Sequence, residues 1–157
     1  MDIKQSNPDA FKALNLGLKV LEKIQGKVGW FSTYNYPDGT PVAEVAAQNE
    51  FGNASKNIPP RPTVRPAAID NKDKWARIAN QGAKQVINGK TTAYDVMNKI
   101  TLVAESDISK NIAKLTQPPL AARTIAERQA RGNNSVKPLV DTGLEIATLT
   151  SVVENVT

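Results

Sequence analysis

The 157-residue chain contains neither cysteine nor histidine. Disulfides, thiolate metal sites, cysteine nucleophiles and histidine general bases are therefore excluded by composition alone. Aromatic residues are scarce as well, at 5% of the chain against 40% for all hydrophobic types, so aliphatic side chains must supply most of the burial. No apolar run is long enough to span a bilayer. The opening MDIKQSNPDAFKAL lacks the basic-then-apolar order of a secretory signal, and a cytoplasmic origin fits best. There is no GxSxG elbow, no GxxxxGK[ST] phosphate loop and no GxGxxG turn. Asp38-Gly39 and Asp141-Thr142-Gly143 read as turns, because the spaced oxygen ligands of a calcium loop are missing. Glu44 and Glu50 do not share a face of their short helix, and each reads as a solvated or cap-linked carboxylate. Catalysis needs a usefully titrating group in a geometry that holds it. We expect no enzyme, no cofactor and no metal.

Positive charge is present and unevenly placed. Between Lys110 and Lys137 stand Lys110, Lys114, Arg123, Arg128, Arg131 and Lys137 against the single acid Glu127, which accounts for the whole formal excess of +5. Two readings stay open: a solvated helix face with a basic loop, or a contact with a partner or with phosphates that reads no sequence. Aromatic residues that would stack single-stranded bases are absent from this segment.

Periodicity organises the rest. Phe11, Leu14, Leu18, Leu21 and Ile24 recur at helical spacing over residues 8–25, with Asn7 as cap, Pro8 as first residue and Gly26 as stop. Residues 27–34 favour a strand, and Tyr-Pro-Asp-Gly-Thr at 36–40 is a turn. A short helix follows, capped by Thr40 and ended by Gly52, with Val42, Val45, Ala46 and Asn49 on one face. After the polar tip 53–57 comes Ile58-Pro-Pro-Arg-Pro-Thr-Val-Arg-Pro66, in which proline fixes φ and biases its predecessor to extended geometry. This segment reads as a stiff strap or an edge strand. Arg61 and Arg65 on it either pair with a carboxylate such as Glu50 or are presented to another subunit at low entropic cost.

Pro66 then opens a helix to about Asn88 with Ile69, Ala76, Ala79, Ala83 and Val86 on its face. Thr92 to Asp95 resembles a capping box for a helix reaching about Leu115, with Met97, Ile100, Ala104, Ile108 and Leu115 as its stripe. A shorter helix, 121–131, follows Pro118-Pro119, and Leu149–Val156 is β-prone. The expected class is α+β: a small antiparallel sheet packed against two to four helices. We expect a single domain over 1–157, with a loop and strap at 53–66 and a C-terminal arm at 132–157.

Taken together, YPDGTPVAEVAAQNEFG, IPPRPTVRPA and PLVDTG fall in the order found in the tail-completion or neck proteins of long-tailed bacteriophages, and the chain resembles that family from about Lys27 onward. It departs from the family at Thr63-Val64, at Leu120–Thr124 and at Ala147–Leu149. The resemblance implies a structural virion protein that helps join a finished tail to a DNA-filled head. It implies a homo-oligomeric ring, typically a hexamer, set beside connector or stopper and tail-terminator or tail-tube proteins. It also implies assembly in the host cytoplasm and residence in the virion, with no membrane. A head-to-tail ring needs two complementary faces. Glu50, Phe51, Arg61, Pro62 and Arg65 are the candidates for a subunit or ring interface. Lys110, Lys114, Arg123, Arg128, Arg131 and Lys137 are the candidates for a partner or for DNA in the lumen. A tail-terminator protein and a basic DNA-binding accessory protein are the alternatives.

Overall fold

A computed structural model describes residues 8–31 and 34–156. The expected Asn7 cap, and Ser32 and Thr33 of the expected strand, lie outside the described residues. The fold is α+β, with a two-stranded antiparallel sheet and six α-helices among the described residues. In chain order these are α1 (Pro8–Leu21), β1 (Ile24–Gly29), α2 (Val42–Phe51), α3 (Val64–Ile87), α4 (Ala93–Lys114), α5 (Ala122–Ala130), α6 (Leu144–Ala147) and β2 (Thr150–Asn155).

The chain divides into two compact units. One comprises the residues through Lys27, Lys72–Val103 and those from Ser151 on; the other comprises Val28–Asn71 and Ala104–Thr150. Helices α3 and α4 each contribute to both.

In the first unit, the strand begins earlier than the helical periodicity implies. Ile24 belongs to β1, and Gly26 lies inside that strand instead of ending α1. The reason is steric. A Cβ on Gly26 would lie 2.3 Å from Thr101 Cγ2 and 3.0 Å from Met97, so only glycine lets the strand approach α4 this closely. A Cβ on Gly82 of α3 would likewise meet Val96 Cγ1 at 2.3 Å. The β-prone tail does return to the sheet. Val156 N–H donates to the Lys23 carbonyl, Gln25 donates to Glu154 across the strands, and Lys27 forms an ion pair with Glu154. Asp95 N–H donates to Thr92 Oγ1 at 3.0 Å, which caps α4. The Asp95 carboxylate turns back to the Thr92 hydroxyl (2.6 Å), the reach of an aspartate being one methylene shorter than that of the usual box glutamate.

In the second unit, the core is Ala67, Ile108, Ile112 and Leu149, with Val28, Trp30, Val64, Leu139 and Ile146 packed around it. The expected α4 stripe contains Ala104 and Ile108, but Ile112, fully buried, takes the place assigned to Leu115. Helix α2 buries Val42 and Ala46 as its spacing predicts. Its N-cap position is Pro41 and not Thr40, with no side-chain cap. Gly52 does end it, with φ of 77°. The face expected for α3 is shifted: Ile69 is exposed and Ala67 is buried. The helix begins at Val64, two residues before Pro66.

Candidate interaction surface

The strap holds its shape through polar contacts more than through proline alone. Asn53 caps a single 3-10 turn at Ala54–Lys56 and pairs with Ile58, closing the polar tip. Arg61 N–H donates to the Asn49 carbonyl at 2.6 Å, tying the strap to the end of α2. Asn111 on α4 donates to the Thr63 carbonyl (3.1 Å).

Glu50 is the main fastening. Its Oε2 accepts from the N–H groups of Thr63 (2.6 Å) and Val64 (3.0 Å), and its Oε1 accepts from Arg65 N–H (3.0 Å). These are the orphan donors at the start of α3, so a carboxylate from a neighbouring helix supplies the cap that no local side chain provides. The Arg65 guanidinium adds a hydrogen bond to Oε1 (3.0 Å) and another to the Glu50 carbonyl (2.7 Å). Burial works against the Glu50 charge. The three backbone donors and Arg65 outweigh it and hold the carboxyl below its ordinary range. Arg65 also lies over the Phe51 ring, 5.0 Å from its centroid. The cap-linked reading of Glu50 is thus correct.

The residues expected at an interface divide in two. Phe51 is 68% exposed and the Arg65 side chain 55% exposed. Pro62 is half-buried, and Glu50 and Arg61 are buried. The expectation that Arg61 faces a neighbouring subunit is corrected. Its guanidinium is turned inward, donating to the carbonyls of Pro118 (3.0 Å) and Pro119 (2.9 Å). Among the described residues no carboxylate pairs with it. Burial and the nearby Arg128 charge both lower its pKa.

The basic segment divides in the same way. Lys110, Lys114, Arg123, Arg131 and Lys137 are exposed, whereas Arg128 is 5% exposed. The expected DNA or partner contact at Arg128 is therefore corrected. Its Nη1 donates to the carbonyls of Ser135, Lys137 and Val140, so it organises the loop after α5. Its Nε lies 3.5 Å from Asp141 Oδ1, close enough to pair in charge but with no hydrogen bond. Arg123 pairs along its own helix with Glu127 (2.8 Å), and Arg131 pairs with Asp141 (3.1 Å).

Two residues of consequence escaped the sequence reading. Asp141 holds Arg131 and also accepts from Asn133 at 2.7 Å. Glu145 is 3% exposed on α6, where Asn49 donates to its carboxylate (2.9 Å) and the Trp30 indole donates to its carbonyl (2.7 Å). Burial pushes the Glu145 carboxyl up to about 7, the Asn49 hydrogen bond opposing the shift. An acid flanked by Leu144, Ile146 and Leu149 is the signal in the sequence that points to burial.

A cleft of about 500 Å³ opens within this same unit. Arg61, Arg128 and Arg131 line it beside Glu145 and Asn49, with Val45, Leu120, Leu139 and Leu144 among its apolar walls. Among the described residues no group of acidic side chains is arranged to hold a metal ion, and no helix is long and apolar enough to cross a membrane. Comparison of the chain with protein-family models, with curated proteins and with solved structures gives no match.

Proposed function

We propose that the chain is a structural subunit of a bacteriophage neck, a ring component that joins the tail to the DNA-filled head. Three separate stretches carry the resemblance to that family, and each supplies a polar side chain that fastens the frame of the second unit. Glu50 of the Asn-Glu-Phe-Gly stretch caps the helix that follows the strap. Arg61 of the strap is anchored on Pro118 and Pro119, and Asp141 of the Asp-Thr-Gly stretch pairs with Arg131. The observation that carries the reading is the pair this frame holds at the surface. Phe51, largely exposed, lies under Arg65, whose position is fixed by two hydrogen bonds to Glu50. A preordered aromatic and arginine pair loses little freedom on docking, and both residue types are favoured at interface centres.

In this proposal Phe51, Arg65 and the tip at 53–57 form one face of a homo-oligomeric ring, with a hexamer as the expected copy number. Its neighbours are connector or stopper and tail-terminator or tail-tube proteins. The exposed cations Lys110, Lys114, Arg123, Arg131 and Lys137 provide non-specific contact with DNA in the lumen. A reconstruction of the assembled neck tests the reading: residues 51–66 should meet a subunit or ring boundary. A chain that is absent from the particle, or that leaves this span facing solvent within it, refutes the proposal.

A further inference from the structure

We propose that the cleft beside Arg61 is a binding site for a carboxylate carried on an apolar stem. Its polar floor holds two buried guanidiniums close enough for Arg128 to depress the pKa of Arg61. Their partners do not balance them. Arg61 is satisfied only by neutral carbonyls, and Arg128 shares one carboxylate, Asp141, with Arg131. Arg128 Nε is moreover a buried donor with no hydrogen-bond acceptor. Buried charges need compensation, and the three guanidiniums that line the cleft share a single ion-paired carboxylate, so their excess charge points to an anion supplied from outside. The remaining acids do not serve. Asp38 accepts from the Thr40 backbone N–H on its own turn, and Glu145 accepts from Asn49.

The rest of the cleft defines the ligand. Val45, Leu120, Leu139 and Leu144 supply apolar contact, and a volume of about 500 Å³ suits a side chain with part of its backbone or a small organic acid. Inorganic anions would find the cations but leave those walls unfilled. The ligand class is therefore an aliphatic carboxylate, either a free organic acid or an acidic residue of an extended peptide. The inference rests on the cleft alone and does not depend on the neck assignment.

Titration of the full chain by two-dimensional ¹H–¹⁵N NMR tests it, following the Arg61 Nε–H signal and the Trp30 indole, which donates to Glu145. The probes are hexanoate, the neutral hexan-1-ol, and the capped peptide acetyl-Leu-Glu-Leu-amide. We expect saturable shifts with hexanoate, the peptide or both, and binding of hexan-1-ol weaker by roughly tenfold, the difference made by a charge-assisted hydrogen bond. Saturation by hexanoate alone identifies a free acid as the ligand, and saturation by the peptide identifies a protein segment. V45W enlarges a wall residue of the cleft and leaves both arginines in the sequence, and should abolish the shifts while thermal unfolding stays cooperative. No saturable shift with either carboxylate overturns the proposal, as does equal binding of the alcohol, or undiminished binding to a folded V45W.

Discussion

Glu50 and Arg65 are joined twice, through Oε1 to the guanidinium Nε (3.0 Å) and through the Glu50 carbonyl to Nη2 (2.7 Å). The same carboxylate accepts three backbone N–H groups at the start of α3. One side chain on α2 thus caps the start of α3 and fixes the end of the strap that leads into it. Glu50→Ala leaves those donors without an acceptor, Thr63 N–H in a buried position. We expect a loss of about 3 kcal/mol, from the lost cap together with unsatisfied buried donors, read as a lower midpoint in urea unfolding. The pH response follows from the depressed carboxyl. Stability from Glu50 is present above the ordinary glutamate range and is lost as pH falls through the lower folded-state value. Glu50→Ala should lack that acid-side component.

Glu145 carries the opposite sign. Its carboxyl is raised from 4.5 to about 7 by burial, so the folded state holds the proton more tightly than the unfolded chain does. Stability from this group is full below pH 4.5 and is lost as pH rises through about 7. The shift corresponds to about 3 kcal/mol. Glu145→Gln keeps an oxygen to accept from Asn49 and removes the titration. It should be more stable than the parent at pH 8 and nearly equal at pH 4, in chemical denaturation at the two values. A larger deficit at pH 8 than at pH 4 would contradict the buried, charge-averse carboxylate.

Net charge alone does not separate Arg128 from Arg123, since both belong to the basic segment. Arg128 is buried with three carbonyls on one nitrogen, and Arg123 is exposed with a single helical ion pair. Arg128→Ala should cost about 3 kcal/mol by leaving those carbonyls and Asp141 with fewer partners. Arg123→Ala should change stability by less than about 0.5 kcal/mol. Differential scanning calorimetry of the two variants checks the contrast. Charge reversal at Lys114, Arg123 and Lys137 is then the clean way to probe DNA, because it leaves Arg128 in place. Duplex affinity and its salt slope should both fall if these cations meet phosphates.

These contrasts show what the sequence reveals. The α+β class, the stop of α2 at Gly52, the position of α5 and the strand character of the tail follow from periodicity and turn chemistry, which are local. The shared cap at Glu50 is half legible: its acidic side chain is visible, but its three N–H donors lie in another helix. The roles of Arg61 and Arg128 are not legible. Both contact backbone carbonyls, and a carbonyl leaves no mark in the sequence. The start of β1 is misread for a related reason, since Gly26 resembles a helix stop until Thr101 and Met97 are seen beside it.

That close approach yields a further test at Gly82, where two effects compete. Alanine in the interior of α3 should gain about 1 kcal/mol in helix propensity. Its Cβ, however, would lie 2.3 Å from Val96 Cγ1 and 2.8 Å from Val96 Cγ2. Val96 is β-branched and buried, so it cannot swing aside cheaply. Overpacking of this kind costs about 1–3 kcal/mol, which exceeds or cancels the propensity gain. Gly82→Ala should therefore be destabilised or at best neutral in urea unfolding. The paired variant Gly82→Ala with Val96→Ala should recover stability relative to the sum of the single changes, because the smaller neighbour frees the space.

The last prediction concerns the exposed pair. Phe51 contributes little to the fold, since 68% of it faces solvent, and its stacked Arg65 is held independently by Glu50. Phe51→Ser should therefore keep the parent's unfolding midpoint to within about 0.5 kcal/mol. If the neck proposal holds, the same substitution removes an aromatic anchor from the centre of a contact, where truncation typically costs 2 kcal/mol or more (about thirtyfold in affinity). The measurement is complementation of a particle lacking this chain, scored as tails joined to heads by electron microscopy, beside the stability of the purified variant. Joined particles at parental yield from a stably folded Phe51→Ser would place the contact elsewhere on the subunit. A loss of joining together with a loss of stability would instead show that Phe51 acts through the Glu50 frame.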